Sequence, residues 1–269
     1  KLTPLLEGAP NFRSIPGLPI YGVAIPTAAG LRRVLDALGA ARGRRRVVWV
    51  NLREEPVTYI NGAPFVVREA ARPFANLEYT GIDATRLEDM EARLRADVLR
   101  EAGRCGGQVL VAHEGAGFQV VDAWEGASEA DVQTPAALYA ELAEDGYAVE
   151  YVRLPITDEK APKDADFGAL LDKLWRPPTG AALVFNCQMG RGRTTTGMVI
   201  AALVTLRRAV GAAAASGGGS LRWALPPAPL PGLPPWFVAP AGAGAGADGP
   251  PSSLPPGSHG AAASADADL

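Results

Sequence analysis

The sequence contains little cysteine, no excess of positive charge and no long apolar run. Its two cysteines, Cys105 and Cys187, are too few for a disulfide framework, and a free thiol suits a reducing cytosol. A formal net charge of −3 gives no global basic field for nucleic acid or membrane. The longest apolar helical stretch, Met198 to Leu206, is too short to span a bilayer. We therefore expect a cytosolic protein that does not bind nucleic acid.

The chain also lacks an initiating methionine and an apolar signal-peptide core, since it begins Lys1-Leu2-Thr3-Pro4. We expect it to be a piece of a longer protein. Its 269 residues and 48% hydrophobic content are enough for one large domain or two small ones with a real core. The interpretation we adopt is one domain over residues 1–210.

Residues 211–269 differ from the rest because glycine, alanine, proline and serine dominate them, and only four residues there carry a formal charge. Such a segment cannot bury enough apolar surface to offset its ordering entropy. We predict a disordered tail or linker. The alternative is that Leu221 to Val238, which includes Trp223, Trp236 and Phe237, docks on the domain or on a partner.

Short apolar runs alternate with segments of helical periodicity in the first 210 residues. The predicted strands are Ile20–Ala24 at a sheet edge, Val47–Leu52, a hairpin around Asn61-Gly62, a buried strand Gln108–Ala112, Tyr147–Leu154 and Ala181–Asn186. The predicted helices are capped or opened by Thr27, Thr85, Thr134-Pro135 and Asp164, and they end near Leu38, Gly103, Glu144 and Trp175. The alternation predicts an α/β fold with a mostly parallel central sheet flanked by helices.

A strand, a loop and a helix meet around Cys187. The apolar run that ends at Asn186 leads into Cys187, and helix-compatible residues follow Arg193. A helix N-terminus and a ring of backbone amides both favour an anion, and they favour the thiolate form of a cysteine placed there. Gly190 and Gly192 allow the tight backbone that such a ring needs.

Two side chains complete the predicted phosphate cradle. The planar guanidinium of Arg193 can bind two phosphate oxygens at once, and Thr194 can offer its hydroxyl to the thiolate. Cys-x5-Arg-Thr with these glycines is the cysteine-phosphatase signature. The alternative is a buried structural cysteine in a glycine-rich turn.

Other chemistries are disfavoured by what is missing. The loop lacks the lysine of a nucleotide-binding P-loop, which disfavours ATP or GTP hydrolysis. His113-Glu114 lacks the second histidine of a zinc-helix motif, so neither a metal nor a cofactor is implied. His113 is a packed or turn-capping residue in the interpretation we favour. Cys105 is a bystander thiol rather than a redox partner of Cys187.

The segment Phe185–Gly197 resembles the corresponding loop of the paladin family, which is related to the protein-tyrosine-phosphatase-like (PTP-like) phytases. Three further segments are similar: Val50–Pro56 continuing to Phe65, Gly81–Ala84 with the helix after it, and Leu154–Pro162. The similarity covers roughly residues 10–206. It implies a PTP-like fold of the dual-specificity or phytase type, no cofactor, and a place in a chain of several such units.

The resemblance also implies catalytic roles. The related phytases carry a Thr-Asp pair just after a strand, and Asp158 matches that Asp, so we expect Asp158 to be the general acid and then the base. The alternative is an Asp that stabilises a turn. Many cysteine phosphatases have His before the nucleophile, where this chain has Asn186, which leaves the activation of Cys187 and its turnover rate open.

The expected substrate-binding residues are Gln188, Met189, Gly190, Arg191, Gly192, Thr194 and Lys160. Phosphoinositide phosphatases with a similar loop carry a basic residue at the position of Arg191. Together with Lys160 and Lys163, Arg191 favours an inositol phosphate or a phosphoinositide as substrate, and a phosphoinositide would bring the protein to a membrane surface. The alternative for the two lysines is that they are solvated surface charges. The alternative substrate is a phosphoprotein, with tyrosine or dual specificity. A rival of another class is a phosphate-binding scaffold with weak catalysis.

Overall fold

A computed structural model describes residues 6–69, 71–72, 77, 79–115, 119–160, 162–175 and 180–215, with backbone only for 211–215. Within these ranges the strands are β1 (Arg13–Ser14), β2 (Ile20–Ala24), β3 (Val47–Arg53), β4 (Val57–Ile60), β5 (Ala63–Val66), β6 (Gln108–Glu114), β7 (Val120–Gly126), β8 (Val132–Gln133), β9 (Val149–Ile156) and β10 (Ala182–Cys187). The helices are α1 (Ala28–Ala37), α2 (Ala84–Arg104), α3 (Pro135–Glu144), α4 (Asp164–Trp175) and α5 (Gly192–Ala215).

The central sheet has the strand order β1-β2-β10-β3-β9. Strands β2, β10, β3 and β9 are parallel to their neighbours, and only the short β1 is antiparallel. The predicted mostly parallel sheet is confirmed. Because the four parallel strands share one direction, their carboxyl ends and the loops after them meet at one edge of the sheet, where ligands bind in such folds.

Alternation along the strands divides the core into two layers. Val47 and Trp49 of β3 pack on one face with α1 and α3, whereas Val48 and Val50 pack on the other face with α4 and α5. All seven residues of β3 are buried, as expected for a strand covered on both sides. A third, smaller core lies between α2 and the strands outside the central sheet.

Helix ends follow capping chemistry, with one correction. Thr27 and Thr134 accept hydrogen bonds from the amides of Gly30 and Ala137, as expected of N-caps. The cap of α2 is Asp83, which accepts from Arg86 N, and the prediction of Thr85 was wrong. Threonine and aspartate can both cap a helix, and here the Asp83 carboxylate does so two residues before Thr85.

Two strand predictions also need correction. Ile20–Ala24 is not an edge strand, since β1 covers its outer side and all five residues are buried. Gln108–Ala112 is not the buried strand that was predicted. It belongs to β6, which among the described residues pairs with β7 alone in a two-stranded antiparallel sheet and exposes alternate residues. A short apolar run is compatible with a fully buried strand and with a half-exposed one, and tertiary packing determines which of the two forms.

Asn61 and Gly62 form the predicted hairpin turn between β4 and β5, with positive φ values of 51° and 74°. Helix α5 runs to Ala215, five residues past the proposed domain boundary, and the remainder of the tail lies outside the described residues. No helix within the described part of the chain has the length and apolar character that crossing a bilayer requires.

Candidate active site

Cys187 is the last residue of β10 and is 4% exposed. Thr194, fully buried in the first turn of α5, donates its hydroxyl to the Cys187 sulfur at 3.1 Å. A hydrogen bond to an ionised acceptor is stronger than one to a neutral acceptor. The predicted contact between these two residues is present, and it places a hydroxyl donor on the sulfur.

The backbone of the loop after Cys187 is held by two contacts on its outer side. The Gln188 carbonyl accepts from Ile25 N at 3.1 Å, and the Met189 carbonyl accepts from Asn11 Nδ2 at 2.7 Å. In a trans peptide the next N–H points opposite to the carbonyl. The amides of Met189 and Gly190 are therefore directed away from these outer contacts, as an anion-binding ring requires.

The two glycines of the loop have different roles. Gly190 has a φ of 68° and is buried against β2, where an added Cβ would lie 2.6 Å from the Val23 carbonyl carbon. Gly192 has no positive φ, begins α5 and would give a Cβ no neighbour within 4 Å. Gly190 therefore has the special backbone conformation that we predicted for both glycines, and the prediction was wrong for Gly192.

Arg193 is 5% exposed, and the described hydrogen bonds of its guanidinium are all made by Nη1. Nη1 donates to both oxygens of Glu55, at 3.0 and 3.1 Å, and to the Ile156 carbonyl at 3.1 Å. Nε is buried and has no hydrogen-bond partner among the described residues. A buried donor without a partner is costly, so the Nε edge of Arg193 is suited to an incoming oxyanion.

Asp158 lies in the turn after β9, where its Oδ1 is 3.2 Å from Arg193 Nε. The distance is that of an ion pair, although the angle is not that of a hydrogen bond. The carboxyl group is about half exposed and also accepts from Glu159 N. The fold thus brings Asp158 to the arginine, although 35 residues separate them in the sequence.

The remaining predicted residues differ in how closely they join the site. Gln188 accepts from Arg53 Nη1 at 2.6 Å through its side-chain oxygen. Met189 and Arg191 are exposed on the loop. Lys160 is exposed on the Asp158 turn, and among the described contacts only its backbone amide is bonded, to Thr157. The structure gives no contact between its ammonium group and the loop.

A buried charge network beneath the loop was missed by the sequence analysis. Glu55 contacts Arg193 and lies 3.5 Å from Arg53 Nε, and Arg153 Nη2 is 2.9 Å from Glu91. Burial, the larger effect, raises the pKa of Glu91 to about 6 against the opposing attraction of Arg153. The charges in Arg53-Glu54-Glu55, directly after a buried strand, were the available signal.

Asn186 faces away from the sulfur, since neighbouring residues of a strand point to opposite faces. Its side-chain oxygen accepts from Trp49 Nε1 at 2.9 Å, and its Nδ2 donates to Asn51 at 3.3 Å. It therefore ties β10 to β3 below the site.

His113 lies apart from the cysteine loop, on the β6–β7 hairpin. Its Nε2 is 3.0 Å from Glu125 Oε1, and its ring meets Phe65 edge-on at 5.4 Å. It lines a cavity of about 510 Å³, which has mainly apolar walls and reaches Gln188 at one end. Cys105, after α2, contacts Glu101 instead of the site. Within the described ranges no three His, Cys, Asp or Glu residues are grouped closely enough to hold a metal.

Comparison with known proteins gives a family match, curated relatives and solved structures of similar fold. The family model for PTP-like phytases, with the description inositol hexakisphosphate, matches residues 50–205. Paladin from Gallus gallus is 33% identical over an alignment of 206 residues that covers 72% of this chain and 21% of that protein. Paladin from Homo sapiens is 33% identical over an alignment of 197 residues that covers 72% of this chain and 20% of that protein. The chain thus spans about a fifth of the length of these relatives.

Two solved structures from Mitsuokella multacida have the same fold. One is a PTP-like myo-inositol phosphatase in complex with myo-inositol-(1,3,4,5)-tetrakisphosphate, with a TM-score of 0.54 and 22% identity over 70% of this chain and 29% of that one. The other is a tandemly repeated PTP-like phytase, with a TM-score of 0.54 and 23% identity over 72% of this chain and 31% of that one.

Proposed function

This chain belongs to the PTP-like phytase family, and from that membership and the geometry around Cys187 we propose that it hydrolyses phosphomonoesters through a cysteinyl-phosphate intermediate. One observation carries the proposal. The buried Nε of Arg193 has no hydrogen-bond partner among the described residues, while Nη1 is fixed by Glu55 and Ile156. A guanidinium held in this way presents a pre-organised edge to two phosphate oxygens.

The proposed reaction has two steps. In the first, the Cys187 thiolate attacks phosphorus, the bond to the leaving oxygen breaks, and the protonated Asp158 carboxyl gives that oxygen its proton. In the second, water attacks phosphorus, the Asp158 carboxylate takes the water proton, and the sulfur–phosphorus bond breaks to return the thiolate. Arg193 and the loop amides stabilise the charge on the equatorial oxygens, which is the largest expected contribution.

Asp158 and the phosphate compete for the same arginine nitrogen. Asp158 Oδ1 lies 3.2 Å from Arg193 Nε, which is the nitrogen that the phosphate would bind. A bound phosphate would therefore displace the Asp158 carboxyl from this nitrogen and leave it beside the leaving oxygen, where the first step needs it.

The substrate class we favour is a polyphosphorylated inositol. Its support is the family description, together with the exposed cations Arg191 and Lys160 on the two loops that border the site. A specific observation favours a phosphopeptide as the second candidate. The cavity that reaches Gln188 has walls from Phe65, Val66 and Val111, and these match an apolar peptide side chain better than an inositol ring.

Single-turnover assays would test the reaction and the substrate class together. The proteins are the unmodified chain, Cys187→Ser, Asp158→Ala and, as a matched surface control, Arg100→Gln, whose ion pair with Asp97 is exposed. The substrates are a general phosphoester, inositol phosphates and phosphotyrosyl peptides. We expect Cys187→Ser to abolish turnover and Asp158→Ala to slow it by about 10²–10⁴-fold on alkyl esters, with Arg100→Gln unchanged.

Near-background rates in all four proteins would refute the hydrolase proposal. Retained binding of inositol phosphates with such rates would instead identify the rival function, a phosphate-binding scaffold. Turnover of phosphopeptides with no turnover of inositol phosphates would replace the first substrate class by the second.

A further inference from the structure

A segment from the opposite end of the chain, Asn11–Arg13, lies directly against the cysteine loop. Asn11 Nδ2 donates to the Met189 carbonyl at 2.7 Å, although 178 positions separate the two residues. The preceding residue is fixed as well, since Ala24 N donates to the Pro10 carbonyl at 2.8 Å. Asn11 has a φ of 55°, a left-handed conformation that asparagine tolerates and most residues resist.

Arg13 continues this contact toward the start of α5. Its Nη1 donates to the Asn11 carbonyl at 3.1 Å and its Nη2 to Thr195 Oγ1 at 2.9 Å. A Cβ placed on Gly22 would meet both the guanidinium carbon of Arg13 and the methyl of Thr194, at 3.2 and 2.8 Å. The cation therefore lies beside the residue whose hydroxyl donates to the Cys187 sulfur.

The electrostatics agree with this placement. Burial lowers the pKa of the Arg13 guanidinium, and the coulombic interaction with nearby Cys187 opposes that effect. Asn186 bonds Trp49 and Asn51 instead of the sulfur, whereas Arg13 places a cation near Cys187 from the side of β1.

We propose that Asn11 and Arg13 are positioning residues of the active site. Asn11 holds the Met189 carbonyl outward so that the Gly190 amide faces the phosphate. Arg13 places a positive charge, and the first turn of α5, beside Cys187. The inference rests on the proposed function of the loop and assigns to β1 and the segment before it a role in that function.

The test uses the whole chain with Cys105→Ser, so that Cys187 is the only thiol. The variants are Arg13→Gln, Arg13→Lys and Asn11→Gly, which removes the amide and keeps a backbone free to adopt positive φ. Arg100→Gln is again the surface control. Alkylation by iodoacetamide, a neutral reagent, is measured at about pH 6 and about pH 9.5, with and without inorganic phosphate, and thermal unfolding is followed in parallel.

We expect Arg13→Gln to slow alkylation about tenfold at the lower pH and little at the higher pH, where a thiol is ionised in either protein. Arg13→Lys keeps the charge and should restore most of the rate. Asn11→Gly should weaken protection by inorganic phosphate by about tenfold, as expected when an oxyanion donor loses its orientation, with its alkylation rates in the absence of phosphate little changed.

Equal rate losses at both pH values, or the same loss in Arg13→Lys as in Arg13→Gln, would show a packing role and overturn the assignment of Arg13. Unchanged phosphate protection in Asn11→Gly would overturn that of Asn11. These readouts need no turnover. An unmodified chain that binds phosphate but does not hydrolyse esters would refute the proposed function and leave this inference standing. If the unmodified chain hydrolyses esters rapidly and the Arg13 and Asn11 variants keep its alkylation rates and phosphate protection, only this inference would be refuted.

Discussion

The two loop glycines provide a matched pair for testing the backbone ring around the phosphate. Gly190→Ala introduces a side chain at a φ of 68°, and its Cβ would lie 2.6 Å from the Val23 carbonyl carbon, with the Ala24 nitrogen nearer still. Both neighbours are backbone atoms of β2, so they cannot move aside as a flexible side chain could. Gly192→Ala adds the same methyl where nothing lies within 4 Å, at the start of a helix.

The magnitudes follow from these environments. A left-handed conformation costs an L-residue about 1–2 kcal/mol, and overpacking costs about 1–3 kcal/mol more. Gly190→Ala should therefore lower the free energy of unfolding by about 2–5 kcal/mol, or displace the loop by roughly 1 Å, which costs about 100-fold in turnover. Gly192→Ala should leave turnover unchanged and stabilise the helix by up to about 1 kcal/mol.

Chemical denaturation, inorganic phosphate affinity and single-turnover rates distinguish the two variants. A Gly190→Ala protein that folds, binds phosphate and turns over as the unmodified chain does would refute the argument that this loop is an amide ring held against β2. Loss of activity in Gly192→Ala would show that the second glycine has a role that its open surroundings do not reveal.

Three further predictions concern the groups around the loop. Glu55→Gln removes one charge of a buried pair, so we expect the free energy of unfolding to fall by about 3–5 kcal/mol and phosphate affinity to fall with it; normal values of both would contradict the role of Glu55 in holding Arg193. Because the pKa of Glu91 is raised to about 6, the folded state binds its proton more tightly than the unfolded state does. The contribution of Glu91 to stability is full below about pH 4.5 and is lost as the pH rises through about 6. The free energy of unfolding should therefore fall by about 2 kcal/mol over this window relative to Glu91→Gln. If denaturation at several pH values gives the two proteins the same pH dependence of stability, this prediction is wrong. Gly22→Ala would press on the Thr194 methyl at 2.8 Å, so we expect slower alkylation of Cys187 near pH 6, and an unchanged rate would show that the Thr194 hydroxyl is not needed.

The strand, loop and helix around Cys187 could be predicted because their signals are local. The apolar run, two glycines, arginine and threonine lie within one short stretch, and a helix N-terminus favours an anion wherever it occurs. The predicted bounds of α4 match the structure. Asp158 was assigned through family resemblance, and its place beside Arg193 is set by the parallel alignment of β9 and β3 with β10.

Residues that act across long sequence separations could not be predicted. Glu55 meets Arg193 over 138 positions, and Asn11 meets Met189 over 178. Nothing in either local sequence marks the partner. The environment of Gln108–Ala112 was misjudged for a related reason, since four consecutive apolar residues do not indicate which sheet the strand joins or how many neighbouring strands it has.

The chemistry of the loop follows from its local sequence, which places a thiol, a guanidinium and backbone amides within one turn. How those groups are held depends on the packing of remote segments. Tertiary structure set which edge of Arg193 lacks a hydrogen-bond partner among the described residues, which carbonyls of the loop point outward and which cation lies beside the sulfur. These features depend on contacts between segments that are remote in the sequence, and the contacts form only when the parallel strands bring their carboxyl ends together.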